Sequence, residues 1–356
     1  MAKGIFKHVS ISSIATAVPI YERALDDEIE LLENKKNIDK IKRITGLDKR
    51  RIADTKTTSI DLCCCAAKKI MGEMNIDKSK IDAIIFVTQT PDYRIPNCAS
   101  IVHGKLGLSK ECLCYDINHG CSGYIYGLLN AFSLVESGVC KKILLLVGDT
   151  LSKVINKKDK SLAIIHGDAG SATIIEYSDE LIHSSFILKS QGDMSNSIII
   201  KAGGFRNMSS KYTRIEKKDD EGNIRTDEQL YMNGLKVFNF ALQNVPDLVN
   251  EVLEFSKLNI KDIDFFAFHQ ANGIINNGII SKLQIDQTKA PLEVVKQYGN
   301  SSCCSIPQVI SKAFGGKILR DKRIVMTGFG VGLSLGTCIT NFNNTTIFPI
   351  IEYDYK

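Results

Sequence analysis

Ile81-Asp82-Ala83-Ile84-Ile85-Phe86-Val87 has a second version at Ile263-Asp264-Phe265-Phe266-Ala267-Phe268. Each follows a stretch of helical periodicity, roughly 59–74 and 244–258. Each is reached through a short polar link, Asn75-Ile76-Asp77 in one case and Asn259-Ile260-Lys261-Asp262 in the other. Continuous apolar runs of this length suit strands buried on both faces of a parallel sheet.

The likeness continues in the same order along the chain. Asn118-His119-Gly120-Cys121-Ser122-Gly123 opens an apolar-periodic helix over 122–136, and Asn300-Ser301-Ser302-Cys303-Cys304-Ser305 opens another near 306–314. Lys141 to Gly148 matches Lys322 to Gly328, and Gly167 to Ile175 matches Gly330 to Thr337. Four matched elements in register predict an α/β protein built from two copies of one supersecondary unit. The expected halves are 1–180, with Cys121, and 181–356, with His269 and Asn300. Between the copies, 181–230 is polar and reads as an irregular connecting or capping region.

The 356 residues include 45 Lys+Arg, 40 Asp+Glu, 11 Cys and no Trp, and are 44% hydrophobic. These proportions are ordinary for a globular chain and exclude disordered, collagenous and coiled-coil classes. A net charge of +5, spread along the chain, does not suggest a nucleic-acid binder. Lys7 and His8 stand where a secretory h-region would be apolar, and no stretch reaches the roughly 20 apolar residues of a membrane span. The cysteines fall in adjacent groups, Cys63-Cys64-Cys65, Cys112 with Cys114, and Cys303-Cys304, an arrangement unsuited to disulfide geometry. The expectation is a reduced, cytoplasmic protein with no metal, since paired CxxC knuckles are absent.

In a duplicated, mostly parallel architecture, sites form where strand ends and helix starts from both halves meet. Three polar residues occupy such places. Cys121 precedes a helix, whose dipole and free N–H groups favour a thiolate, and its flanking glycines would let a substrate carbonyl approach the backbone. His269, followed by Gln270, comes straight off the second apolar strand, and Asn300 stands just before the second copy's helix. A Cys, a His and an Asn so placed form a covalent-catalysis set. Cys303 and Cys304 are rivals for the nucleophile by duplication but lack flanking glycines and read as core. His119 and His166 read as structural.

Asn-His-Gly-Cys-Ser-Gly (118–123), His-Gln-Ala-Asn (269–272), Tyr-Gly-Asn-Ser-Ser (298–302) and Gly-Phe-Gly-Val-Gly (328–332) together resemble the β-ketoacyl-acyl carrier protein synthase III family. Further likeness lies in Thr45-Gly46-Leu47 with Arg50-Arg51-Ile52-Ala53, in Gln89 to Pro96, and in His166 to Ala172, so it spans about residues 10–340. The resemblance implies a thiolase-like, five-layer α-β-α-β-α fold, a homodimer, no cofactor beyond coenzyme A or phosphopantetheine thioesters, and an acyl carrier protein as partner. Cys121 would carry the acyl group, His269 and Asn300 would promote decarboxylation of a malonyl thioester, and the backbone N–H groups of Cys121 and Val331 would form an oxyanion hole. Ile95, Gln270, Lys40, Lys160 and Ile274 fall at positions that the resemblance assigns to substrate or carrier binding.

Three of those positions depart from the family's pattern. Lys40 stands where a Trp commonly stacks on adenine, Ile274 where an Arg assists carrier docking, and Lys160 where an Arg is common. The primer is left open between coenzyme A and carrier-bound forms, and a specialised pathway is an alternative to primary fatty-acid synthesis. Two other functions remain beside condensation. One is a non-decarboxylating acyltransferase that moves the acyl group to an alcohol or amine. The other is a silent partner subunit, against which the retention of Cys121, His269 and Asn300 weighs.

Overall fold

The computed structural model describes residues 2–355. Two sheets carry the architecture. The larger runs in the order Lys317–Leu319, Thr345–Ile347, Val9–Pro19, Ala169–Tyr177, Lys142–Asp149, Ala83–Val87, Leu113–Ile117, with Ile351–Tyr353 also paired to Val9–Pro19. The smaller runs Ala2–Phe6, Ser184–Ser190, Ser334–Phe342, Lys322–Gly330, Phe265–Phe268.

The two expected apolar strands occupy equivalent places. Ala83–Val87 pairs in parallel with Lys142–Asp149, starting at Ala83 opposite Ile143. Phe265–Phe268 pairs in parallel with Lys322–Gly330, starting at Phe265 opposite Ile324. In each sheet the next partner is antiparallel, Ala169–Tyr177 in one and Ser334–Phe342 in the other.

Both faces of these strands are buried because alternate side chains enter different cores. Ala83, Ile85 and Val87 join Phe265 and Ala267 in the central core around helices Gly123–Glu136 and Ser305–Phe314. Ile84 and Phe86 face the opposite way, onto helices Ser59–Glu73 and Cys98–Leu106. Phe266 and Phe268 pack on helices Gly234–Phe255 and Gly273–Leu283. The result is helices, sheet, central helices, sheet, helices. Each large apolar side chain so enclosed contributes about 1.5–3 kcal/mol.

Two features differ from the sequence expectation. The region 181–230 is not wholly irregular, because Ser184–Ser190 is an inner strand of the smaller sheet, paired to Ser334–Phe342 and to Ala2–Phe6. It is the counterpart of Val9–Pro19, and its polar ends disguise the buried Phe186-Ile187-Leu188 core. The sheets also exchange terminal strands. Ala2–Phe6 closes an edge of the smaller sheet, while Thr345–Ile347 and Ile351–Tyr353 pair with Val9–Pro19 in the larger and Lys317–Leu319 extends it beyond Thr345–Ile347. Covering an edge in this way removes unpaired backbone groups from solvent. All eleven cysteines are free thiols, and among the described residues no helix is long and apolar enough to cross a membrane.

Candidate active site

Cys121 lies in the turn between strand Leu113–Ile117 and helix Gly123–Glu136, a turn closed by the Gly123 amide donating to Gly120 O at 2.6 Å. The flanking glycines serve close packing, not an open approach for substrate. A Cβ at Gly120 would meet Gln89 Oε1 at 2.5 Å, and one at Gly123 would meet Val87 Cγ1 at 2.7 Å. His269 leaves strand Phe265–Phe268 with its amide donating to Thr327 O at 2.9 Å. Asn300 follows helix Glu293–Tyr298, and its amide donates to Ile165 O at 2.9 Å.

These three side chains line one cavity of about 150 Å³, with His166, Ser302 and the Gly330-Val331 turn. A dry cavity of that size holds a molecule about as large as benzene. The remainder of its wall is mainly apolar and includes Ile198 and Leu230 from the 181–230 region.

Hydrogen bonds fix the orientation of the polar groups. The Ser302 amide donates to Asn300 Oδ1 at 2.9 Å, which identifies that atom as the carbonyl oxygen and turns Nδ2, a donor, toward Ala271 O at 3.4 Å. His269 Nδ1 is 2.7 Å from Ser305 Oγ, and the ring meets Phe329 edge-on with centroids 5.2 Å apart. Ser305 Oγ also lies 2.9 Å from the Ser302 carbonyl, so its single proton serves either that oxygen or Nδ1; turned to Nδ1, it leaves the ring proton on Nε2, the donor that condensation requires. Burial lowers the His269 proton affinity to about 3, so the imidazole is neutral at working pH.

Burial pushes the Cys121 thiol up to about 11, with the buried Asp149 carboxylate acting in the same direction. The amide N–H of Val331, the Ser302 side chain and the cysteine's own amide oppose that shift. The two backbone amides expected to form an oxyanion hole therefore both act at this sulfur.

None of the five residues expected at substrate- or carrier-binding positions lines this cavity. Ile95 is 84% exposed. Gln270 is buried, but its amide group is tied into the scaffold, donating to Phe268 O and Pro291 O and accepting from the Val295 amide. Lys40 is exposed on helix Lys35–Thr45, Ile274 is 44% exposed at the start of Gly273–Leu283, and Lys160 pairs with Glu33. Sequence reasoning missed Ser302, Ser305 and Asp149. Ser302 and Ser305 are the residues two and five after Asn300, a spacing that becomes legible only once the turn between them is known. Cys303 and Cys304 are fully buried, and Cys303 Sγ stands 3.4 Å from Asp149 Oδ2.

Two family profiles match the chain: "3-Oxoacyl-[acyl-carrier-protein (ACP)] synthase III" over residues 115–192 and its C-terminal counterpart over 253–342. A Campylobacter jejuni protein named as a 3-oxoacyl-[acyl-carrier-protein] synthase 3 is 37% identical over 350 residues, 98% of either chain. A Staphylococcus epidermidis beta-ketoacyl-[acyl-carrier-protein] synthase III is 35% identical, covering 84% of this chain and 88% of its own. The crystal structure of a Burkholderia xenovorans 3-oxoacyl-(acyl-carrier protein) synthase superimposes with a TM-score of 0.91 at 32% identity over 99% of both chains. The duplicated sheets, the layered helices and these full-length relatives agree: the chain belongs to the 3-oxoacyl-[acyl-carrier-protein] synthase III family of thiolase-fold condensing enzymes, acyltransferases of fatty-acid biosynthesis.

Proposed function

We propose that Cys121 is the nucleophile of a decarboxylative Claisen condensation, with His269 and Asn300 as the donors that stabilise the developing enolate. The observation that carries this reading is the single small cavity lined by all three side chains. In the first half-reaction the Cys121 sulfur attacks the carbonyl of an acyl thioester. A new C–S bond forms, the incoming thiol leaves with the proton that Cys121 gives up, and the acyl group stays on the enzyme. The amides of Cys121 and Val331 stabilise the oxyanion of the tetrahedral intermediate.

In the second half-reaction a malonyl group on an acyl carrier protein enters the same cavity. Nε2–H of His269 and Nδ2–H of Asn300 donate to its thioester carbonyl. The C–C bond to the carboxylate breaks, carbon dioxide leaves, and the electron pair becomes an enolate that two neutral donors hold without a strong base. The enolate carbon attacks the acyl-Cys121 carbonyl, the C–S bond breaks, and the β-ketoacyl product departs. Cys121 leaves as thiolate and regains a proton. The primer arrives on coenzyme A or on a carrier protein.

We further read the chain as two duplicated halves, 1–180 and 181–356, that share this site, as a homodimer, and as cytoplasmic. The repeated strand order supports the first reading and the free thiols support the last.

The test is intact-mass analysis of the protein with acyl-coenzyme A and acyl-carrier thioesters, followed by malonyl-carrier protein and measurement of carbon dioxide. An adduct that is absent in Cys121→Ala, and carbon dioxide with a β-ketoacyl product, are expected. An adduct that persists in that variant overturns the nucleophile assignment. An adduct without carbon dioxide points to acyl transfer onto an alcohol or amine, and no adduct at all to a silent subunit.

A further inference from the structure

His166 stands in the wall of two cavities. One is the catalytic cavity, where it accompanies Cys121, His269 and Asn300. The other is a separate space of about 680 Å³, where it accompanies Arg23, Arg50, Lys157, Asn156 and Gln229. Backbone pairing fixes its place, because the Gly167 amide donates to Asn300 O at 3.0 Å and residues 166 and 300 form a parallel bridge. The side chain is 7% exposed.

Its ring has a determined polarity. Nδ1 lies 3.1 Å from the carbonyl oxygen of Leu162. A carbonyl can only accept, so Nδ1 carries the proton. Burial holds the imidazole below its ordinary proton affinity, and the Arg50 guanidinium acts in the same sense against the Leu162 carbonyl and Asp159. The ring is therefore neutral and Nε2 presents a lone pair. Among the described residues no donor reaches Nε2. In the same cavity Asn300 and Val331 offer donors, whereas His166 offers an acceptor.

The space beyond His166 is polar and does not open into the catalytic cavity through Arg50. Arg50, on the far side of His166, is 3% exposed, and its Nε and Nη1 have no partner although Nη2 is bound by Glu28. Glu28 also takes Arg23 at 2.7 Å, so one carboxylate serves two guanidinium groups. Unpaired buried polar groups are costly, and a site lined by them discriminates strongly in favour of a ligand that pairs with them. An alkyl chain would leave Nε2 unpaired and meet a polar boundary beyond it.

Resting on the condensing reading, we propose that His166 selects the primer: its Nε2 accepts a hydrogen bond from a hydroxyl on a short acyl group, so the enzyme takes a hydroxyacyl thioester in preference to the plain alkyl one. His166 is in this sense a specificity-determining residue, not part of the bond-making set.

The experiment measures the rate of adduct formation on Cys121 from acetyl, butyryl and 3-hydroxybutyryl thioesters, each on coenzyme A and on a carrier protein. The wild-type protein is expected to favour 3-hydroxybutyryl over butyryl by about tenfold or more, the scale of one lost hydrogen bond in an enclosed site. His166→Phe is expected to remove that preference, and His166→Gln, whose amide oxygen can accept, to restore part of it. If His166→Phe does not fold, the wild-type ratio decides alone. Acetyl and butyryl adducts with no hydroxyl preference overturn this inference and leave the condensing reading standing. A preference that survives in His166→Phe also overturns it. No adduct from any thioester removes the condensing reading itself, and the inference with it.

Discussion

A Cβ built on Gly330 would stand 2.7 Å from both Cβ and Sγ of Cys121. Strand Lys322–Gly330 of one sheet thus ends against the turn that carries the thiol, and only a residue without a side chain fits between them. Gly330 also has φ +151, a conformation that side chains disfavour. Gly330→Ala is expected to lower Cys121 acylation by about a hundredfold, the scale of a 1 Å displacement of a reacting group. Gly332→Ala separates strain from contact. Gly332 also has a positive φ, +127, but its Cβ would meet nothing closer than Ser334 at 3.4 Å. Equal losses of acylation in the two variants, measured by intact mass, would sink the steric account.

The Cys121 thiol gives a pH prediction. With its ionisation pushed up to about 11, the resting sulfur is protonated at neutral pH, and its thiolate fraction rises tenfold with each unit of pH up to that value. Carbamidomethylation of Cys121 by iodoacetamide is expected to climb with a slope near one from about pH 7 to about pH 10. An ordinary thiol levels off near its pKa of about 8.5. A plateau by pH 8 would show that the Val331 and Cys121 amides and the helix start outweigh burial.

Asn300 presents Nδ2 because Ser302 occupies Oδ1. Asn300→Asp keeps the shape and replaces the donor by an acceptor that carries charge. Decarboxylation of malonyl-carrier protein is expected to fall by about 10²–10³, as for loss of one oxyanion donor. The acyl adduct on Cys121 should still form. His269→Ala should fall on the same side of that division, because His269, held neutral down to about pH 3, acts as a donor and not as a titrating base. An Asn300→Asp protein that releases carbon dioxide at the wild-type rate would remove Asn300 from this role.

The sequence made the repeat legible where burial on both faces leaves an unbroken apolar run, as in Ala83–Val87 and Phe265–Phe268. It also pointed to Cys121, His269 and Asn300 as neighbours, because strand ends and helix starts are where such a fold gathers side chains, and the three line one cavity. Ser184–Ser190 was hidden, since its ends are polar and its pairing partners lie more than a hundred residues away in both directions. The acceptor on His166 was equally hidden. It depends on the Leu162 carbonyl that fixes one nitrogen and on the Asn300 strand that brings the ring to the cavity. Lys40, Lys160 and Ile274 were placed by resemblance alone, and none of them lines the catalytic cavity.

Asp149 joins the end of strand Lys142–Asp149 to the Ser302–Cys304 turn behind the nucleophile. It is fully buried and accepts from Thr88 Oγ1 at 3.0 Å, the Gln89 amide at 2.8 Å and Thr90 Oγ1 at 3.1 Å, while its other oxygen faces Cys303. Asp149→Ala leaves those donors unpaired in a dry interior and is expected to cost about 3 kcal/mol, read from the denaturant midpoint. Burial also holds the Asp149 carboxyl above its ordinary 3.8. In the window above 3.8 the folded chain keeps a proton that the unfolded chain releases. The Asp149 contribution to stability is therefore fully present below that window and declines as pH rises through it. Asp149→Asn cannot titrate and should lose this slope, at a smaller cost than Asp149→Ala. Parallel stability curves for wild type and Asp149→Asn across that window would show that the carboxyl is not titrating differently in the folded chain.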